Sequence, residues 1–340
     1  MENNVMIKLK GYLLLGLCVA FAGAPGITIA QDTVNHLQGD IRVHDPVMIK
    51  QGDTYYIFHT GKGISIKTSK DKIHWKNDVR VFDSAHLPAW HKNDIPAQDG
   101  SLWAPDIHYS NGKYYLYYSV SAWMNFNSSV GLATNTTLNR SDPNYKWIDE
   151  GQVVGYKNGG DGVNVIDPNF VREKNGRAWL FYGSYKAGLR AVELNPITGK
   201  LLKDPPENIV ITTGLGEGVF VIRDAHYYYI FASRGRCCAG LNSTYQMVIG
   251  RSKNITGPYL NKEGGSWIDN KYTLFLAGDS TEPGRGHNGF FTEGDTTFIV
   301  YHAYTRFANG ASLLNIKPLF MDKEEWPTIT NTGILFKREN

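Results

Sequence analysis

Five ionisable residues open five short extended segments of this 340-residue chain, and an aromatic run follows each. Asp45 precedes GDTYYIFHT (52–60), Asp106 precedes GKYYLYYS (112–119), and Asp167 precedes GRAWLFYGS (176–184). Glu217 precedes HYYYIFAS (226–233), and His287 precedes GDTTFIVYH (294–302). A charge at the mouth of a buried strand is costly unless it is paired, hydrogen-bonded or functional. Acids gathered on one axis repel one another, which raises one carboxyl pKa and leaves another ionised. A protonated acid beside an ionised base is the pair that glycoside hydrolysis requires.

Taken singly, each Asp-Pro or Pro-Asp is a turn or a strand start, because proline removes a backbone donor and favours an extended residue before it. It is the recurrence that points to chemistry. Trp103, three residues before Asp106, and Trp123, in SVSAWMNF, add flat rings on which the apolar faces of sugars can stack. Packing between blades is the alternative role for either ring.

The elements that must position these residues are short strands. β-branched and aromatic residues alternate between Gly, Asn and Asp turns, and helical periodicity is confined to the N-terminal stretch. A repeat too small to bury its own apolar face has to stack on its neighbours, and β repeats that close radially make a propeller. The expected fold is therefore all-β, a five-bladed β-propeller. If each opening segment is the innermost strand of its blade, the five residues converge at one end of the axis.

Residues 1–30 read as a secretory signal peptide, with Lys8 and Lys10 ahead of an apolar stretch from Gly11 to Ala24 and the small Ala30 for cleavage. That stretch is shorter than the roughly 20 residues of a spanning helix. The expected product is an exported chain, residues 31–340, forming a single catalytic domain, monomeric and with no membrane partner once the signal is removed. Its charges nearly balance, so a polyanion such as nucleic acid is not an expected partner. Cys237 and Cys238 are adjacent. Their Cα atoms stand about 3.8 Å apart across a trans peptide, below the usual disulfide range, so a pair of buried thiols is favoured over a strained vicinal disulfide.

In order along the chain, HDPVMI, LWAPDIHYSNGKYYLYYSVS, NVIDPNF, GEGVF, YYYIFASRGRCCAG, STYQMVIGRSKNITGPY, GHNGFF and YHAY resemble glycoside hydrolase family 43. Within that family they are most similar to the endo-1,5-α-L-arabinanases, and CCAG with GRSKNITGPY is the most discriminating stretch. The resemblance implies a five-bladed propeller that hydrolyses α-1,5-linked arabinan with inversion. It implies Asp45 as the general base, Glu217 as the general acid, and Asp167 as the residue that raises the pKa of Glu217 and orients it. It further implies that Trp103, Trp123, Asn164 and Ser184 line the sugar groove. Asp106 is read as hydrogen-bonding within the site rather than transferring a proton. The resemblance also implies calcium near His287, held largely through water.

Three positions depart from the family pattern: Val219 and Arg285 stand where proline is usual, and Thr305 stands where aspartate is usual. An exo-acting arabinofuranosidase or β-xylosidase on the same fold, and a non-catalytic sugar-binding propeller, are the alternative expectations. The choice between endo and exo action depends on loops such as 157–161 and 235–242.

Overall fold

The aromatic run of each repeat forms the second strand of a blade, and it is buried on both faces because blades stack side by side. These strands are Thr54–His59, Lys113–Val120, Ala178–Ser184, Tyr228–Arg234 and Thr296–Tyr304. Two-sided burial explains why they read as near-continuous apolar runs rather than strict alternation. Tyr117, Phe181, Phe231 and Tyr301 are fully buried. The computed structural model describes residues 36–339 apart from 94, 124, 126 and 157–161. The expected leader and the 157–161 loop lie outside the described residues.

Each aromatic strand pairs antiparallel with an inner strand before it: Val47–Gln51, Ser101–Ser110, Asn169–Arg172, Glu217–Arg223 and Gly284–Glu293. The inner strands touch one another in a closed ring, which makes five blades around one axis, as the sequence leads one to expect. Hairpin chemistry sets the register. In blade two, Asn111 and Gly112 both take positive φ, the type I′ geometry that joins Ser110 to Lys113.

Closure uses the two ends of the folded region. Residues 41–43 add to the outer edge of blade five, where Val43 N–H donates to Ser312 O at 3.2 Å and Leu314 N–H donates to Ile41 O at 2.8 Å. The seam between blades five and one is packed with Val43, Met48, Ile57, Trp75, Phe291 and Leu314. At the other terminus Phe336 is fully buried, and the chain then crosses the far end of the axis. There Glu339 N–H donates to Arg223 O at 2.9 Å, and Arg338 Nη1 donates to Phe290 O at 3.3 Å.

Candidate active site

At the start of every inner strand one residue adopts the left-handed conformation: Asp45 (φ 51°), Ala104 (φ 43°), Asp167 (φ 58°), Gly218 (φ 61°) and His287 (φ 53°). Such a conformation costs a non-glycine residue about 1–2 kcal/mol, so four of the five blades store strain at one end of the axis. A ring of hydrogen bonds holds them there. In each case the backbone N–H donates to a side chain of the preceding blade: Ala104 to Thr60 Oγ1 (2.8 Å), Asp167 to Ser119 Oγ (2.8 Å), His287 to Ser233 Oγ (2.8 Å) and Asp45 to His302 Nδ1 (3.1 Å). In blade four the acceptor is Asp167 itself, whose Oδ2 receives Gly218 N–H at 3.0 Å.

This ring corrects the alignment expected from sequence. The counterpart of Asp45 and Asp167 in blade two is Ala104, and Asp106 lies two residues further down the strand. Asp106 does not line the cavity between Asp45 and Glu217. It is buried lower on the axis, accepting from Phe170 N–H at 2.6 Å and Asn169 Nδ2 at 3.0 Å, and burial pushes its carboxyl up to about 6. In blade four the counterpart is Gly218, with Glu217 one residue before it. A Cβ on Gly218 would stand 3.1 Å from His287 Nδ1, so glycine keeps room for the histidine.

Asp45, Asp167, Glu217 and His287 share a cavity of about 250 Å³ with His44, Thr60, Trp103, Trp123, Ile166, Cys237 and Cys238. Trp103 is half-buried, whereas Trp123 is 73% exposed and offers its ring to solvent. Asn164 and Ser184 do not line this cavity; Asn164 Nδ2 donates to Ser184 Oγ at 3.0 Å, and the Asn164 Oδ1 atom is buried without a partner.

The three acids are held in different states. Burial alone would raise Asp45, but the cationic His44 and the neighbouring His287 outweigh it and hold the carboxyl well below the usual range. Thr60 Oγ1 donates to Asp45 Oδ2 at 2.5 Å, His44 Nδ1 lies 2.8 Å from the same oxygen, and His287 Nδ1 lies 3.1 Å from Oδ1. His44 is raised to about 10, since the attraction of Asp45 exceeds the opposing effect of burial. Glu217 is raised to about 7, by burial first and by the charge of Asp45, while Tyr245 Oη, donating to Oε1 at 3.0 Å, pulls it back. Burial and the nearby Glu217 and Asp45 also push Asp167 well above the usual range. Near neutral pH the cavity thus carries an ionised carboxylate and a protonated carboxylic acid, the two states that acid–base hydrolysis needs.

Sequence reading missed His44, Thr60, Tyr245, His302 and the wall formed by the cysteines. One signal was present: the aromatic runs end in Thr60, Ser119, Ser184, Ser233 and His302, the positions from which four blades hold the next one. The thiols are not buried as expected, since Cys238 is exposed and Cys237 half-buried. Of the departures, Val219 packs between blades, Arg285 bonds Glu282 at 2.7 Å and also Asp279, and Thr305 is buried.

Calcium takes six to eight oxygen ligands. Burial keeps the His287 imidazole below its ordinary value, so it is neutral and able to offer a lone pair. Among the described residues, no carboxylate cluster gathers around it. Among the described residues, the candidate donor clusters within 4.8 Å are His44 with Cys237 and Cys238, and His44 with Asp45 and His302. The residues therefore fit only an ion carried mainly by water beside His287.

A barrel of strained strand entrances around an acid and a base is the architecture of a propeller glycosidase. The chain belongs to the family described as Glycosyl hydrolases family 43, which it matches over residues 39–327, and is a glycoside hydrolase. It is 38% identical to the extracellular exo-α-(1→5)-L-arabinofuranosidase ArbA of Cellvibrio japonicus, covering 85% of this chain and 86% of that protein. It is 34% identical to the extracellular endo-α-(1→5)-L-arabinanase 1 of Bacillus subtilis, over 84% and 87%. The structure of the Cellvibrio cellulosa α-L-arabinanase complexed with arabinohexaose superposes with a TM-score of 0.82 at 37% identity, covering 88% of this chain and 99% of that one.

Proposed function

We propose that this chain is an exported arabinanase that cleaves internal α-1,5-L-arabinofuranosidic bonds with inversion. The observation that carries the chemistry is the pairing of an ionised Asp45 with a protonated Glu217 in one aromatic-walled cavity. Asp45 accepts a proton from a water molecule, which attacks the anomeric carbon as the glycosidic bond breaks. Glu217 gives its proton to the departing sugar oxygen. Asp45 ends protonated and Glu217 ionised, and exchange with solvent restores both. Asp167 acts through Gly218 N–H, fixing the segment that carries Glu217. Trp103 and Trp123 stack on sugar faces. Calcium beside His287, mostly water-held, would supply positive charge near Asp45.

The arabinan assignment draws on the substrates printed for the relatives, and their extracellular location supports export after loss of residues 1–30. Among the described residues no helix is long and apolar enough to cross a membrane. The 38% identity to an exo-acting relative favours a second reading, exo action on the same polymer. Incubation with linear debranched arabinan separates the two. An early ladder of oligosaccharides is the expected product, arabinose alone would establish the exo reading, and no product would refute both. Proton NMR of the first anomer released should show inversion.

A further inference from the structure

The cavity wall beside Asp45 carries a second donor set that hydrolysis leaves unused. Cys237 and Cys238 follow the aromatic strand of blade four, with unbonded Sγ atoms 2.8 Å apart. His44 Nε2 lies 3.7 Å from Cys237 Sγ and 3.8 Å from Cys238 Sγ. The other ring nitrogen of His44 is 2.8 Å from Asp45 Oδ2. A carboxylate that holds one nitrogen fixes the ring so that the second, here also 2.8 Å from Tyr304 Oη, is presented to the thiols, the arrangement that orients metal-ligating histidines. Thiolate and imidazole donors together select soft to borderline cations rather than calcium.

The spacing suits one tetrahedral ion. Bonds of about 2.3 Å to sulfur and about 2.0 Å to nitrogen put sulfur and nitrogen roughly 3.5 Å apart, and two sulfurs about 3.8 Å apart. Both sulfur–nitrogen gaps are close to that value. The sulfur–sulfur gap has to widen by about 1 Å, and the exposed side chain of Cys238 is free to rotate outward. Tyr304 Oη, 3.3 Å from Cys237 Sγ and 2.8 Å from His44 Nε2, backs the cluster.

We propose that Cys237, Cys238 and Nε2 of His44 bind one thiophilic d10 cation of the Zn2+ class, and that the bound ion closes the cavity to substrate. Binding releases the thiol protons and the Nε2 proton to solvent and involves no electron transfer. The blocking half rests on the function proposed above, whereas the binding half does not.

The test uses the full chain, reduced with a phosphine and freed of reductant, titrated with Cd2+ without substrate. Sulfur-to-metal charge-transfer absorption should grow and saturate at one Cd2+ per chain. It should be lost in the Cys237→Ser, Cys238→Ser double variant. His44→Ala should weaken binding by about 10-fold or more. Zn2+ should compete for the same band and inhibit hydrolysis of linear arabinan reversibly, while the double variant keeps its own zinc-free rate. No band in the reduced protein, or a band that survives in the double variant, overturns the proposal. A band without inhibition overturns the blocking half. If arabinan is never cleaved, the function proposed above fails while the Cd2+ titration still decides the site.

Discussion

The same five inner strands end in two different electrostatic settings. Where they begin, Asp45, Asp167 and Glu217 crowd one cavity, and burial with mutual repulsion drives two of them up from their ordinary values. Where they finish, Lys50, Arg172, Arg223 and Glu293 surround a second cavity of about 590 Å³ with Arg338 and Glu339. There the two glutamates are paired with cations. Glu293 receives Lys50 at 2.5 Å, Tyr55 Oη at 2.7 Å and also Lys72, and is lowered to about 2; Arg223 bonds Glu339 at 3.0 Å. Geometry alone makes both ends concave. Crowded like charge distinguishes the reactive end: there three carboxyls share one cavity and Glu217 holds a proton it is ready to give away, whereas the raised acid of the far cavity, Asp106, is tied to Phe170 N–H and Asn169 Nδ2.

The most damaging test of this contrast is Glu217→Gln, which keeps the shape and removes the proton donor. Hydrolysis of unactivated arabinan should fall by about 10²–10⁴-fold with oligosaccharide binding retained, measured by initial rates and calorimetry. A folded-state carboxyl raised to about 7 contributes stability at low pH that is lost as pH rises through about 7. The same variant should therefore melt higher than the parent at pH 8. An unchanged rate would remove Glu217 from the mechanism.

Next in size is the pH profile. Asp45 is held well below the usual carboxylate range and stays ionised in mild acid, so loss of activity on the alkaline side belongs to Glu217. kcat should fall toward a tenfold loss per unit above about pH 7. Tyr245→Phe sharpens this, because the hydroxyl favours ionised Glu217. Its removal should move the alkaline limb upward by roughly one unit. A limb that stays in place would mean that another group sets it.

Chelation of calcium should lower the melting temperature and the rate modestly, and readdition should restore both. Unchanged values would count against an ion beside His287. The smallest effect belongs to the far end. Glu339→Gln removes a partner of Arg223, and its ion pairs are partly exposed and of small net worth. kcat on arabinan should stay unchanged, with the melting temperature lower by about 2 °C or less. A large loss of activity would break the contrast between the two ends.

Much of the fold was legible because burial on both faces leaves an unambiguous mark. Runs such as YYLYY (114–118) and AWLFY (178–182) cannot face water on either side. Asp45, Asp167 and His287 could also be found, since their recurrence ahead of those runs survives in one dimension. Asp106 was misplaced for a physical reason. The landmark that repeats is a left-handed residue and not a charge, and blade two fills that place with Ala104, whose φ of 43° has no signature in its side chain.

The sequence by itself determined the number of blades, the aromatic strands between them and the places of Asp45, Asp167 and His287 in step with them, because hydrophobic burial and strand periodicity are local properties of the chain. Only the tertiary structure decided which acid is ionised and which is protonated. That choice depends on His44 and Thr60 against Asp45, on Tyr245 against Glu217, and on the thiols across the cavity, groups far apart in sequence whose fields act over a few ångströms.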